Sequence, residues 1–258
     1  MTDTARSADG TQIAYDRTGE GPVLILVGGA FSDRHGAAAL VPLLSGNFSV
    51  VTVDRRGRGD STDTPPYAPA REVEDLTALI AAVGGTAYVH GHSSGAVLAL
   101  EAAAVGAPIT RLSVYEPPYL TDRSGGEEAS ATARKIQDAL DAEDRDTAVE
   151  TFIRSTGAPF DPAMKASPWW PNMVVVAHTL PYDMALVGDS TVPTERLAKI
   201  RVPTLGLYGG ASAAWARESI EAVTGAIPGA TRMVVEGQTH AAAPDVIAPI
   251  LIDYFAQA

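Results

Sequence analysis

Short runs of β-branched and aliphatic residues recur along this chain with helix-like segments between them, and that rhythm constrains its fold most strongly. VLILV (23–27), FSVVTV (48–53), TAYVHG (86–91), ITRLSVY (109–115), PTLGLYG (203–209) and TRMVVE (231–236) are continuous apolar runs. Continuous rather than alternating runs suit parallel strands buried on both faces. TQIAYDR (11–17) alternates and precedes the turn TGEGP, as an early antiparallel strand does. Helical patterns fill residues 34–44, 70–83, 94–105, 215–224 and 244–255. Repeated strand–helix units predict an α/β fold: a mostly parallel central sheet flanked by helices, with its chemistry at the C-terminal ends of the strands.

One interval breaks the rhythm. Between Pro117 and about Arg196 no strand pattern appears, but helical pieces such as DTAVETFIRSTG do. The stretch ends in SPWWPNMVVVAHTLPYDM (167–184), rich in aromatics and methionine. The expected division is a core domain of residues 1–116 and 197–258, with a helical cap insertion over 117–196.

Composition closes several alternatives. The formal net charge is −12, and the RRGR of residues 55–58 is the one basic cluster. Nucleic acid and anionic membrane both call for basic patches, so neither is an expected partner. With no cysteine there is no disulfide, no thiolate nucleophile and no Cys-based metal site. MTDTARSADG lacks an apolar signal core, and VLILVGGAF is far too short to span a bilayer. The expectation is a cytoplasmic monomer or homodimer, with no metal and no organic cofactor.

The chemistry concentrates in three loops. Gly91-His92-Ser93-Ser94-Gly95 forms a G-x-S-x-G elbow after an expected strand and before an Ala-rich helix, the context this motif requires. Its glycines permit a turn tight enough to push the Ser93 hydroxyl out at the strand's end. Ser94 is the weaker nucleophile, because the central position belongs to Ser93. A serine hydroxyl needs a base to take its proton. His240, in VVEGQTHAAAP after the last strand, is placed to be that base, whereas His90 and His92 read as structural neighbours of the elbow. The strand VLILV runs into Gly28-Gly29-Ala30-Phe31, where a second backbone N–H can meet a developing oxyanion. The oxyanion hole is assigned to the amides of Ala30 and Ser94.

These pieces resemble the α/β-hydrolase superfamily over nearly the whole chain. The likeness is carried by SADGTQIAYDRTGEGP, by GGAF in place of the usual His-Gly-x loop, by DRRGRGDS (54–61), by GHSSGA and by GQTH, in the family's order. It implies an α/β-hydrolase fold with the cap inserted after the sixth strand, and a bracing role for Asp54 and its arginines. One departure matters more than Gly28 standing where the family often has His. Most members carry the triad acid in the loop after PTLGLYG; here that register gives Gly209-Gly210-Ala211-Ser212. Ser212 bears no charge, so Ser212→Ala is expected to change little. The substitute acid is Glu116, at the end of the strand after the elbow helix, the place that haloalkane dehalogenases use for theirs.

The resemblance implies an acyl-enzyme mechanism on a small to medium, mostly apolar ester or lactone. Phe31, Trp169, Trp170, Met173, His178 and Tyr182 are the expected substrate contacts under the cap. The same fold hosts C–C bond hydrolases, lyases and non-catalytic ligand receptors, which stand as the alternatives.

Overall fold

The computed structural model describes residues 2–121, 125–157 and 159–257. Positions 122–124 and 158 of the expected cap, and residues 1 and 258, lie outside the described residues. The strands are β1 (Asp3–Arg6), β2 (Gln12–Thr18), β3 (Val23–Val27), β4 (Ser49–Val53), β5 (Ala87–His92), β6 (Ile109–Tyr115), β7 (Thr204–Gly209) and β8 (Thr231–Val235). The helices are α1 (Val41–Leu44), α2 (Pro69–Val83), α3 (Ser94–Ala104), α4 (Gly125–Asp141), α5 (Arg145–Ser155), α6 (Trp170–Val176), α7 (Leu180–Val187), α8 (Thr194–Leu197), α9 (Ala214–Ala226) and α10 (Pro244–Ala256).

The strands lie in the order β1-β2-β4-β3-β5-β6-β7-β8. The pairs β1–β2 and β2–β4 are antiparallel, and every other pair is parallel. Because successive side chains leave a strand on opposite faces, each apolar run serves two cores. In β3, Ile25 and Val27 pack on one face with Leu76, Leu79 and Ile80 of α2 and with much of α3. Leu24 and Leu26 pack on the other, with Leu44 of α1 and with Ile247, Leu251 and Phe255 of α10. This two-sided burial is why the runs are continuous.

The sequence between β6 and β7 supplies the cap helices α4 to α7, together with short 3₁₀ turns. They hold a core of their own, in which Ile136, Val149, Ile153, Trp170 and Leu180 are buried together. The last helix of the interval, α8, turns back to the sheet, where Leu197 joins the main core. Among the described residues no helix is long and apolar enough to cross a membrane.

Two elements differ from the sequence expectation. β1 has no apolar run, because only Ala5 of its four residues points inward. The expected helix over 34–44 is instead a 3₁₀ turn at Arg34–Ala37 followed by the one-turn α1. Gly36 and Pro42 weaken a continuous helix. Arg34 is meanwhile pulled toward the carboxylates of Asp16, Asp54 and Asp60.

The buried helix α3 offers a direct test of where stability resides. Leu100 is fully buried, while Val105, just past the helix end, is 69% exposed. In denaturant titrations Leu100→Ala should lose about 2–5 kcal/mol, whereas Val105→Ala should stay within about 0.5 kcal/mol of the parent.

Candidate active site

The strand order reverses between β3 and β5, so the loops leaving their C-terminal ends diverge around a crevice, the usual ligand position in an open α/β sheet. Ser93 occupies that point. It joins β5 to α3 with φ 56° and ψ −127°, a left-handed backbone that serine rarely adopts. The turn is possible because neighbours are small. A Cβ on Gly95 would lie 2.3 Å from the Val27 carbonyl oxygen, so only glycine lets α3 approach β3. A Cβ on Gly29 would lie 2.6 Å from the Ser93 Cβ. The Gly29–Ala30 peptide therefore stands beside the serine. Ser94 is the first residue of α3, so its N–H has no partner within the helix.

Glu116 follows β6 directly and is fully buried. Its backbone is also left-handed, with φ 47°. The carboxylate is held at both oxygens. Oε2 accepts from His240 Nδ1 at 2.6 Å, while Oε1 accepts from the Gly209 amide at 2.7 Å and the Ser212 hydroxyl at 2.6 Å. Burial alone would raise its pKa, but the hydrogen bonds from His240, Ser212 and Gly209 outweigh burial and hold it below the ordinary value. Ser212 is thus not idle at the position where the family usually has its acid. It donates to the Glu116 carboxylate.

His240 sits in the loop between β8 and α10, half exposed. Two contacts pin this loop: Tyr115 OH donates to the Thr239 carbonyl at 2.6 Å, and His92 Nε2 donates to the His240 carbonyl at 2.8 Å. The His92 and His240 rings lie 4.7 Å apart, centroid to centroid. The Ser93 amide in turn donates to the Tyr115 carbonyl at 2.9 Å, tying the elbow to the residue before Glu116. The ends of β5, β6 and β7 and the His240 loop thus form one hydrogen-bonded unit. With Nδ1 on a carboxylate, the imidazole has Nε2 left for proton transfer.

The expected substrate contacts divide. Phe31 and Met173 pack on the cap core, in the same apolar group as Ala30, Phe152 and Met184. The Phe31 ring meets that of Phe152 edge-on at 5.2 Å. Trp170 is buried inside the cap and donates to Asp146 at 2.6 Å. Trp169 is 43% exposed. Tyr182 stacks on Tyr67 and donates to Asp63 at 2.6 Å, and His178 Nε2 donates to the Gly57 carbonyl at 2.8 Å. The structure therefore packs Phe31, Met173 and Trp170 with Ala30 on one apolar core, leaves Trp169 exposed, and gives Tyr182 and His178 polar partners elsewhere. Phe152 and Met184 join the same apolar group; DTAVETFIRSTG and PYDM read as cap segments, but sequence alone does not say which helix face meets the core.

Beneath the site runs a buried ionic cluster. Arg55 grips Glu72 through two hydrogen bonds of 2.6 and 2.7 Å, and Arg55 and Arg58 each contact Asp183 of α7 at 2.7 Å. Burial would raise the Asp183 pKa, but Arg58, Arg55 and Ser94 bring it below the ordinary value. Asp183 is occupied here and is not a partner of His240. Among the described residues no group of three or more His, Cys, Asp or Glu side chains is arranged to hold a metal ion. A cleft of about 480 Å³ lined by Pro22, Thr86, Thr110 and Pro203 lies at the opposite, N-terminal ends of the strands.

Comparison with known proteins fits this geometry. Residues 23–250 match the model of the Alpha/beta hydrolase family. The crystal structure of an alpha/beta hydrolase from Sphaerobacter thermophilus is 48% identical, with a TM-score of 0.90 over 98% of this chain and 100% of that one. A hydrolase from Pseudomonas aeruginosa is 25% identical, with a TM-score of 0.81 over 100% of this chain and 98% of that one. Among curated relatives, N-formylmaleamate deformylase from Pseudomonas putida is 38% identical over 117 residues. That match covers 43% of this chain and 44% of the relative, less than half of its length.

The histidines around the elbow carry a pH signature. Burial, then the neighbouring His92, pushes His90 down to about 3; burial, then His240, pushes His92 down to about 4. An unfolded histidine titrates near 6.5. Below that pH the unfolded chain takes up protons that the folded chain refuses, so stability present above about 6.5 is lost as pH falls toward 3. For His90 the full loss is on the order of 5 kcal/mol. His90→Gln can still hydrogen-bond but does not titrate. Urea midpoints between pH 7 and 4 should therefore fall less steeply in His90→Gln than in the parent; parallel slopes would exclude this account.

Proposed function

The chain belongs to the alpha/beta hydrolase family, and from that premise we propose that it is a serine hydrolase acting on an ester or lactone through an acyl-enzyme. His240 Nε2 takes the Ser93 proton as Oγ attacks the acyl carbon. The carbonyl oxygen becomes an oxyanion facing the amides of Ala30 and Ser94. Collapse breaks the bond to the leaving oxygen, which receives the proton from His240. Water, deprotonated by the same imidazole, then attacks the acyl-enzyme and releases the acid and Ser93.

The observation that carries this reading is the 2.6 Å contact between His240 Nδ1 and Glu116 Oε2. A buried carboxylate whose pKa is held low stays charged, selects the Nδ1–H tautomer and stabilises the imidazolium that forms in the transition state. This arrangement is what general-base activation of a serine calls for, and it favours an enzyme over a ligand receptor of the same fold. The apolar group of Ala30, Phe31, Phe152, Met173 and Met184 supports a small to medium, uncharged acyl or alcohol part. The negative net charge also opposes polyanionic substrates.

A second reading is hydrolysis of a small N-acyl amide, favoured by the partial likeness to N-formylmaleamate deformylase. It uses the same nucleophile and differs in the leaving group, a nitrogen that needs its proton from His240 before it departs. Rates on matched ester and N-formyl amide substrates separate the two. Faster turnover of the amide would displace the ester reading.

A fluorophosphonate should label the protein once, and Ser93→Ala should abolish that labelling. Glu116→Gln keeps the shape but removes the charge, so kcat should fall roughly 10²–10⁴-fold. Ser212→Ala removes a donor to a charged group and should lower kcat roughly tenfold. That outcome replaces the sequence expectation of little change; a Ser212→Ala enzyme with unaltered kcat would restore it.

A further inference from the structure

Arg58 connects the cap to the loop beside Ser93. Its guanidinium is almost fully buried. Nη1 donates to the carbonyls of Gly29 at 2.6 Å and Ser32 at 3.2 Å, and Nε donates to the Thr179 hydroxyl at 3.1 Å. Nη2 donates to Asp183 Oδ2 at 2.7 Å. The other oxygen of Asp183 accepts from the Ser94 hydroxyl at 2.6 Å and from Arg55 Nη1 at 2.7 Å. One carboxylate of α7 therefore reaches both sides of the assigned oxyanion hole.

The Gly29 carbonyl and the Ala30 N–H belong to the same peptide unit, which is planar with the two groups pointing in opposite directions. The carbonyl accepts a long bond from the Ser32 amide at 3.3 Å and the much shorter one from Arg58, and holding it there fixes where the N–H points. The contact of Gly29 with Ser93 places that peptide next to the nucleophile. A charged donor on the carbonyl also polarises the peptide, which strengthens its N–H as a donor. Arg58 lies in DRRGRGDS between Gly57 and Gly59, and its partner Asp183 lies 125 residues away.

We propose that Arg58 is a positioning residue for the oxyanion hole: clamped by Asp183, it sets the Gly29–Ala30 peptide with its N–H toward Ser93, so the hole is complete only when α7 is seated. The inference rests on the serine-hydrolase reading above. It makes cap seating and oxyanion stabilisation one event, without any direct contact between Arg58 or Asp183 and the substrate.

The test compares the full chain with Arg58→Met, Arg58→Lys and Asp183→Asn. For each, folding is checked by circular dichroism and melting temperature. Fluorophosphonate labelling, kcat and KM on a p-nitrophenyl ester, and inhibition by an alkyl trifluoromethyl ketone are then measured. A transition-state mimic reports the hole directly, which a general loss of stability does not. Arg58→Met should lower kcat by roughly 10–100-fold and weaken the ketone by the same factor, with KM within about threefold. Asp183→Asn should follow in the same direction. Arg58→Lys keeps the charge but cannot serve both Asp183 and the Gly29 carbonyl, so it should fall between. A folded Arg58→Met enzyme that keeps its kcat and ketone affinity within about threefold overturns the proposal. If the Met variant does not fold, the wild-type ketone adduct decides by crystallography. Ala30 N and Ser94 N within about 3.1 Å of the oxyanion, with Arg58 still on the Gly29 carbonyl, supports it; a turned Gly29–Ala30 peptide overturns it. A wild-type protein that neither hydrolyses the ester nor takes the fluorophosphonate removes the serine-hydrolase reading itself, and this outcome is distinct from an active parent with an unaffected Arg58 variant.

Discussion

The close approach of α3 to the end of β3 sets the geometry of the whole C-terminal edge of the sheet. It brings Gly95 against the carbonyls of Val27 and Gly28, and Gly29 against Ser93, at separations that leave no room for side chains. The chain around this contact is strained. Phe31, Ser93 and Glu116, which follow β3, β5 and β6, all have positive φ. Strain of this kind costs about 1–3 kcal/mol per residue and persists only where surrounding structure over-determines it. Here α3 supplies that structure, since Val97, Leu98, Leu100 and most of its alanines are buried in the main core. Three strained residues thus converge on one crevice because the packing beneath them is strong enough to hold them there.

A second constraint is electrostatic. Arg55, Arg58, Glu72 and Asp183 are buried, two cations against two anions, and form a neutral group with Ser94. Removing one member of such a group leaves an uncompensated charge in a low-dielectric interior, typically at 3–5 kcal/mol. Three members come from the core and one from the cap. The core is therefore electrically incomplete without α7, and cap and sheet are parts of one structure rather than a lid resting on a finished enzyme.

Much of this was legible in the sequence because it depends on local rules. Continuous apolar runs mark two-sided strands, and a glycine-flanked serine between strand and helix marks the elbow. Glu116 came into view through the family resemblance, which puts a carboxylate at the end of this strand in haloalkane dehalogenases; the ends of β6 and β7 are neighbours, and Glu116 lies against His240. The rest depended on long-range pairing. Nothing in RRGR says that Arg55 and Arg58 meet a carboxylate some 125 residues later, and nothing in SPWWPNM says that Trp170 turns into the cap while Trp169 stays exposed. The hydrogen bond from Ser212 to Glu116 was not legible either, because the sequence shows a neutral side chain without showing what it donates to.

The contact between Ser212 and Glu116 makes what can stand at one position depend on the other. Glu116 and residue 212 share one small volume, with the Ser212 hydroxyl 2.6 Å from Glu116 Oε1. A carboxylate at 212 would face the Glu116 carboxylate at that distance, and two like charges so close cannot both remain ionised. A small apolar residue would instead leave the inner oxygen of a fully buried carboxylate with only the Gly209 amide. Serine satisfies both requirements, being short enough to fit and able to donate. The length of glutamate also suits position 116, since it spans from the end of β6 to His240 while its second oxygen stays with β7. Charge at 116 and a donor at 212 thus form a coupled pair, in which neither residue is interpretable without the other.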